Sequence, residues 1–89
     1  MKFPKHQYNL LKSIVEAGLG EGHKTLYRHK ILKHYSRIMR EYDPSHTDET
    51  RGDHISPMME QIAKELGGIF TKDLNKNGNA KKGTVRIEF

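Results

Sequence analysis

The apolar positions of this chain recur with helical period in three stretches and alternate in a fourth. The clearest stretch is residues 24–42, KTLYRHKILKHYSRIMREY. Wound at 100° per residue, Tyr27, Ile31, Leu32, Tyr35, Ile38, Met39 and Tyr42 fall within one arc of roughly 140°, which predicts a core-facing stripe. The opposite side carries Lys30, Lys33, Arg37 and Arg40, spaced three, four and three apart as one row along the helix. Thr25 is placed to cap the N-terminus, and Asp43-Pro44 ends the helix because proline disfavours an α conformation in the residue before it.

A first helix is expected from Pro4, a residue suited to a first turn, with Tyr8, Leu11, Ile14 and Val15 on one face and Gly18 as its stop. The linker Gly18-Leu19-Gly20-Glu21-Gly22 is too rich in glycine to form an element, and Leu19 reads as an anchor onto the core. A third helix starts at Ser56-Pro57, buries Met59, Ile62, Ala63 and Leu66, and closes at Gly67-Gly68. Ile69–Leu74 and Thr84–Phe89 then read as strands, the second alternating with Val85, Ile87 and Phe89 on one face. The intervening NKNGNAKKG holds turn residues, so the two strands form a hairpin with a flexible, lysine-rich tip. Residues 43–54, DPSHTDETRGDH, contain no apolar side chain and predict an exposed acidic loop.

Charge adds a second layer to this pattern. Residues 24–42 hold six Lys/Arg against the single acid Glu41, and that excess equals the +5 of the whole protein. The remainder cancels: residues 43–54 carry −3 and residues 72–86 carry +4, the latter from five cations against Asp73. A pI near 9.6 favours anionic partners, either nucleic acid or an acidic protein surface. With 89 residues and a mean hydropathy of −0.86 the chain supports one domain, residues 1–89, with a small core. A core that small also admits self-association as a homodimer. The absence of cysteine excludes disulfides and thiolate metal sites. No apolar run has the length of a membrane span, and the start MKFPKHQYN lacks the apolar region of a signal peptide, so a cytoplasmic protein without membrane contact is expected.

The predicted fold class is therefore α+β, three helices followed by a C-terminal β-hairpin, and in this order it resembles a winged-helix domain. That class carries a further short strand between its first two helices, where GLGEGHK has poor strand composition. The resemblance implies that the third helix enters a major groove while the hairpin touches phosphate or the minor groove. On that helix Pro57, Glu60, Gln61, Lys64 and Glu65 would face outward. Gln61 suits adenine and Lys64 suits guanine or phosphate, whereas the two carboxylates oppose deep insertion. On the hairpin Lys76, Lys81, Lys82 and Arg86, with Asn75, Asn77 and Asn79, supply phosphate-binding groups. The row Lys30, Lys33, Arg37 and Arg40 has the length of two or three successive phosphates of one strand, and His29 and His34 flank it.

Other chemistries are poorly supported. Asp73-x-Asn75-x-Asn77-Gly78 copies the opening of a calcium loop, but Lys81 and Thr84 stand where oxygen ligands belong. His46, Asp48, Asp53 and His54 gather in a polar loop without a paired helical ligand, so no metal or other cofactor is expected. No fixed pair of carboxylates or histidine on a rigid element supports hydrolysis, and no enzyme is expected. Met58, at the start of the third helix, is placed to anchor a partner if exposed. The leading expectation is a small basic regulatory or accessory protein, of phage or bacterial style, that binds double-stranded DNA. The alternative is a protein-binding module or inhibitor that docks its basic surface on an acidic or nucleic-acid-binding site of a partner.

Overall fold

The computed structural model describes residues 4–42 and 55–89. They form a small α+β domain with three helices and a three-stranded antiparallel sheet, in the order α1 (Lys5–Gly20), β1 (Thr25–Tyr27), α2 (Arg28–Tyr42), α3 (Ser56–Leu66), β2 (Ile69–Thr71) and β3 (Arg86–Glu88). The expected acidic loop at 43–54 lies outside the described residues.

The first departure from the sequence reading is at Gly18, which lies inside α1 instead of ending it. A Cβ at Gly18 would stand 2.8 Å from Leu26 Cδ2, so this glycine admits a side chain from β1 against the helix. The helix stops two residues later, at Gly20, in a Schellman arrangement. Gly22 adopts φ +90°, and the amides of Gly22 and His23 donate to the carbonyls of Leu19 (3.0 Å) and Gly18 (3.1 Å).

The second departure is β1. Strands are interspersed with the helices, and the hairpin is two-thirds of a sheet ordered β1-β3-β2. Thr25, Leu26 and Tyr27 pair with Glu88, Ile87 and Arg86, and the amides of Arg28 and Phe89 extend this ladder to Val85 and Lys24, each at 2.8 Å. Thr25 is thus a strand residue, not a helix cap, and α2 begins at Arg28. Because side chains alternate across a sheet, Leu26, Ile87 and Phe70 lie on the inner face. Thr25, Tyr27, Arg86, Glu88, Ile69 and Thr71 lie on the outer one, which removes Tyr27 from the core stripe expected of it.

The core joins Leu11 and Val15 of α1, Ile31 and Tyr35 of α2, Met58, Met59, Ile62 and Ala63 of α3, Ile87 of β3, and Ile55 just ahead of α3. Leu19, Leu32, Met39 and Leu66 pack at its margin as expected. Tyr42 does not: it is 82% exposed at the end of α2. Met58 is only 5% exposed and is a core residue, so it cannot serve as an anchor for a partner. Arg28 Nη1 donates to Ser56 Oγ at 2.7 Å, tying the start of α2 to the start of α3. Among the described residues no helix is long and apolar enough to cross a membrane.

Regular pairing in the hairpin is shorter than predicted, three residues per strand, with an isolated bridge between Leu74 and Ala80. Its tip is not a loose loop. Asn75 Oδ1 accepts from the amides of Asn77 (2.9 Å) and Asn79 (3.1 Å), and the Asn75 amide donates to the Asn79 carbonyl (2.8 Å). The oxygen that a calcium-loop reading would assign to a cation is thereby used on backbone donors.

Ile62 is fully buried where α3 meets the core. Replacing it with alanine should cost about 2–5 kcal/mol through lost transfer energy and residual cavity, against about 5–15 kcal/mol for a whole domain. Denaturant unfolding should show a lower midpoint with an unchanged slope.

Candidate nucleic-acid interface

The exposed face of α2 follows from its sequence: with Ile31 and Tyr35 turned inward, Lys30, Lys33, Arg37 and Arg40 turn out. Together with His34 they line a shallow depression of about 460 Å³, and among the described residues no carboxylate belongs to its lining. Arg40 Nε is steadied by the Ser36 carbonyl one turn back, at 3.3 Å. Among the described residues no acid lies within ion-pair distance of Lys30, Lys33 or Arg37. The first turn of α2 also contains no acid, and Arg28, His29 and Lys30 sit there instead. Cations at the positive end of a helix dipole oppose helix stability, so this end of α2 concentrates positive potential.

The hairpin joins this surface at one point. Lys82 and Gly83 line a smaller depression, about 170 Å³, with Arg28, His29 and Leu32, placing Lys82 beside the first turn of α2. Lys76 and Lys81 are exposed near the tip, which the Asn75 turn holds in shape.

Arg86 departs from its expected role. Its side chain is 18% exposed on the outer sheet face, with Nε donating to Glu88 Oε1 (2.6 Å), Nη1 to the Thr84 carbonyl (2.8 Å) and Nη2 to Asp73 Oδ1 (3.3 Å). Those partners raise its pKa further, the Glu88 hydrogen bond most, so the guanidinium is committed within the domain.

The two α3 residues are differently placed. Lys64 is exposed in the last turn, a position that suits the helix dipole. Gln61 is exposed and lies beside Glu65, whose carboxylate pairs with Lys12 at 3.1 Å and adjoins Tyr8. Glu65 is therefore a clamp between α3 and α1, not a free charge on a groove-facing surface. This Tyr8-Lys12-Gln61-Glu65 cluster was hidden in the sequence because its α1 and α3 members lie 49 to 57 residues apart. The Arg28–Ser56 bridge was hidden for the same reason. His46, Asp48, Asp53 and His54 lie outside the described residues.

Compared with known family models, curated proteins and solved structures, the chain matches none.

The clamp makes stability depend on pH at both ends of the scale. The neighbouring Tyr8 and the paired Lys12 hold the Glu65 pKa below its ordinary 4.5. Its contribution is thus complete above that value and is lost as pH falls through the lower folded-state value. Burial, then the Glu65 hydrogen bond and charge, push Tyr8 from 10.0 up to about 12, so its contribution is complete below pH 10 and fades towards pH 12. Thermal melts should show Glu65→Gln flattening the acid limb and Tyr8→Phe flattening the alkaline one. Wild-type slopes retained in both variants would contradict the clamp.

Proposed function

We propose that this protein is a winged-helix-like domain that binds nucleic acid, double-stranded DNA first, with the outer face of α2 as its main contact and Lys82 extending it. The fold part of the reading draws on the order helix, strand, helix, helix, strand, strand and on β1 pairing with the last strand, as winged-helix domains do. The functional part rests on one observation: among the described residues the depression along α2 is lined by Lys30, Lys33, His34, Arg37 and Arg40 and by no acid. Elsewhere in the described residues several acids are paired, Glu65 with Lys12 and both Asp73 and Glu88 with Arg86. Lys30, Lys33 and Arg37 share one helix face with no acid within ion-pair distance among the described residues, an arrangement that suits an external polyanion. Phosphates along a strand have spacing comparable to this row.

Lys30, Lys33, Arg37, Arg40 and Lys82 act on phosphate, and Lys76 and Lys81 add charge near the hairpin tip. Gln61 and Lys64 contribute less, since Gln61 lies beside the Glu65 carboxylate and few other readers share that face. Arg86 holds the outer sheet together and makes no phosphate contact. Contacts of this kind fix affinity and register without specifying sequence, which suits an accessory or regulatory factor in the cytoplasm.

Fluorescence anisotropy of a labelled random duplex, titrated at several salt concentrations, tests this reading. Affinity should fall as a steep power of salt, and Lys33→Ala with Arg37→Ala should lower the slope of log K against log salt by about 2. Gln61→Ala with Lys64→Ala should leave that slope nearly unchanged. No binding at low salt would redirect the basic row to an acidic protein surface.

A further inference from the structure

Beside the cationic row lies a second cleft of different chemistry. It occupies about 540 Å³ at the end of the outer sheet face, between the junction of β1 with α2 and the base of the hairpin. Its charges balance, Lys30 and Arg86 against Asp73 and Glu88, so it does not suit phosphate as the α2 row does. It also contains a pair of rings. Tyr27 and His29 have centroids 5.7 Å apart at an interplanar angle of 37°. Tyr27 contributes nothing to the core, and its backbone is fixed by pairing with Arg86 in the central strand. An aromatic ring braced on a rigid strand in a polar cleft is a stacking platform.

The carboxylates indicate what would lie on that platform. Each gives one oxygen to Arg86, Glu88 through Oε1 and Asp73 through Oδ1, which holds both groups in place. Glu88 Oε2 and Asp73 Oδ2 have no partner among the described residues. They are acceptors only, so they select a ligand edge with adjacent donors. Among the nucleobases guanine alone presents two such donors side by side, N1–H and the 2-amino group. In a duplex that edge is occupied by cytosine, so the cleft can meet it only on an unpaired base. Lys30 lines both this cleft and the α2 depression, and so connects a base here to a backbone that continues along Lys33 and Arg37.

We infer that the cleft formed by Tyr27, His29, Lys30, Asp73, Arg86 and Glu88 binds an unpaired guanine, and that the ligand is nucleic acid with a single-stranded end or segment next to the stretch held by α2. This rests on the proposed nucleic-acid reading and narrows it. The ring of Tyr27 stacks on the base, and the two carboxylates accept from its Watson–Crick edge. Arg86 is a positioning residue that acts through those carboxylates, and Lys30 takes the phosphate.

The test compares, by anisotropy, one duplex with blunt ends and the same duplex with a three-nucleotide overhang of guanine or of thymine. The guanine overhang should bind roughly tenfold tighter than the blunt duplex, the scale of one stacked and hydrogen-bonded base. Tyr27→Ala should abolish that gain while blunt-duplex affinity stays, and Tyr27→Phe should keep it. Glu88→Gln should remove the preference for guanine over thymine. If Tyr27→Ala fails to melt cooperatively, His29→Ala, which lies outside the strand pairing, tests the same platform. Equal affinity for blunt and guanine-overhang duplexes overturns the inference and leaves the α2 reading standing. A gain that is the same for thymine overturns the guanine assignment, and no binding of any duplex overturns both readings.

Discussion

The organisation of this domain depends on β3 being shared. Its backbone bonds β1 on one side and β2 on the other, and its Ile87 is fully buried between Leu26 and Phe70. A one-residue slip in either pairing would turn Ile87 out and bring Arg86 or Glu88 into the core. The register is therefore strongly specified, and three-residue strands suffice where isolated ones would not. Because the Arg28 amide is the last rung of the β1–β3 ladder, the same register fixes where α2 starts and which of its faces turns outward.

The outward face of α2 is thus a consequence of how the sheet closes, while the charge on it is a matter of sequence. The rest of the described surface treats charge differently. Glu65 is drawn to α1, and Asp73 and Glu88 are drawn to Arg86. Exposed pairs of this kind contribute little to stability, so their chief effect is to flatten the local field. Along α2 the cations remain on one face, reinforced at its N-terminal end by Arg28, His29 and the helix dipole, and the hairpin lysines add charge beside it.

Much of this was legible in the residues. The α3 helix was announced by Ser56-Pro57, its apolar spacing and Gly67, and the row on α2 by its periodicity. The β1 strand was not legible, because Tyr27 stands four residues before Ile31 and so continues the helical stripe in projection. Only pairing with residues some sixty positions away makes Thr25–Tyr27 a strand, and tertiary pairing of that kind overrides local period. Gly18 misled for a related reason. A glycine that makes room for a neighbour looks in sequence like one that ends a helix. On the surface, cations recurring along one helix were visible, whereas the Arg86–Asp73 contact needed the hairpin to bring its members together.

The pairing of β1 with β3 also bears on how the chain reaches this state. The α helices and the β2–β3 hairpin close over short stretches of chain, so they are cheap to form early. Bringing residue 25 to residue 88 closes a far longer loop for only three paired residues. Docking of β1 then belongs to the late, slow part of folding, and until it occurs β3 presents a bare edge carrying Ile87. The species most prone to pair with another chain is accordingly one in which the helices and hairpin are already formed and Leu26 has not yet found the space beside Gly18.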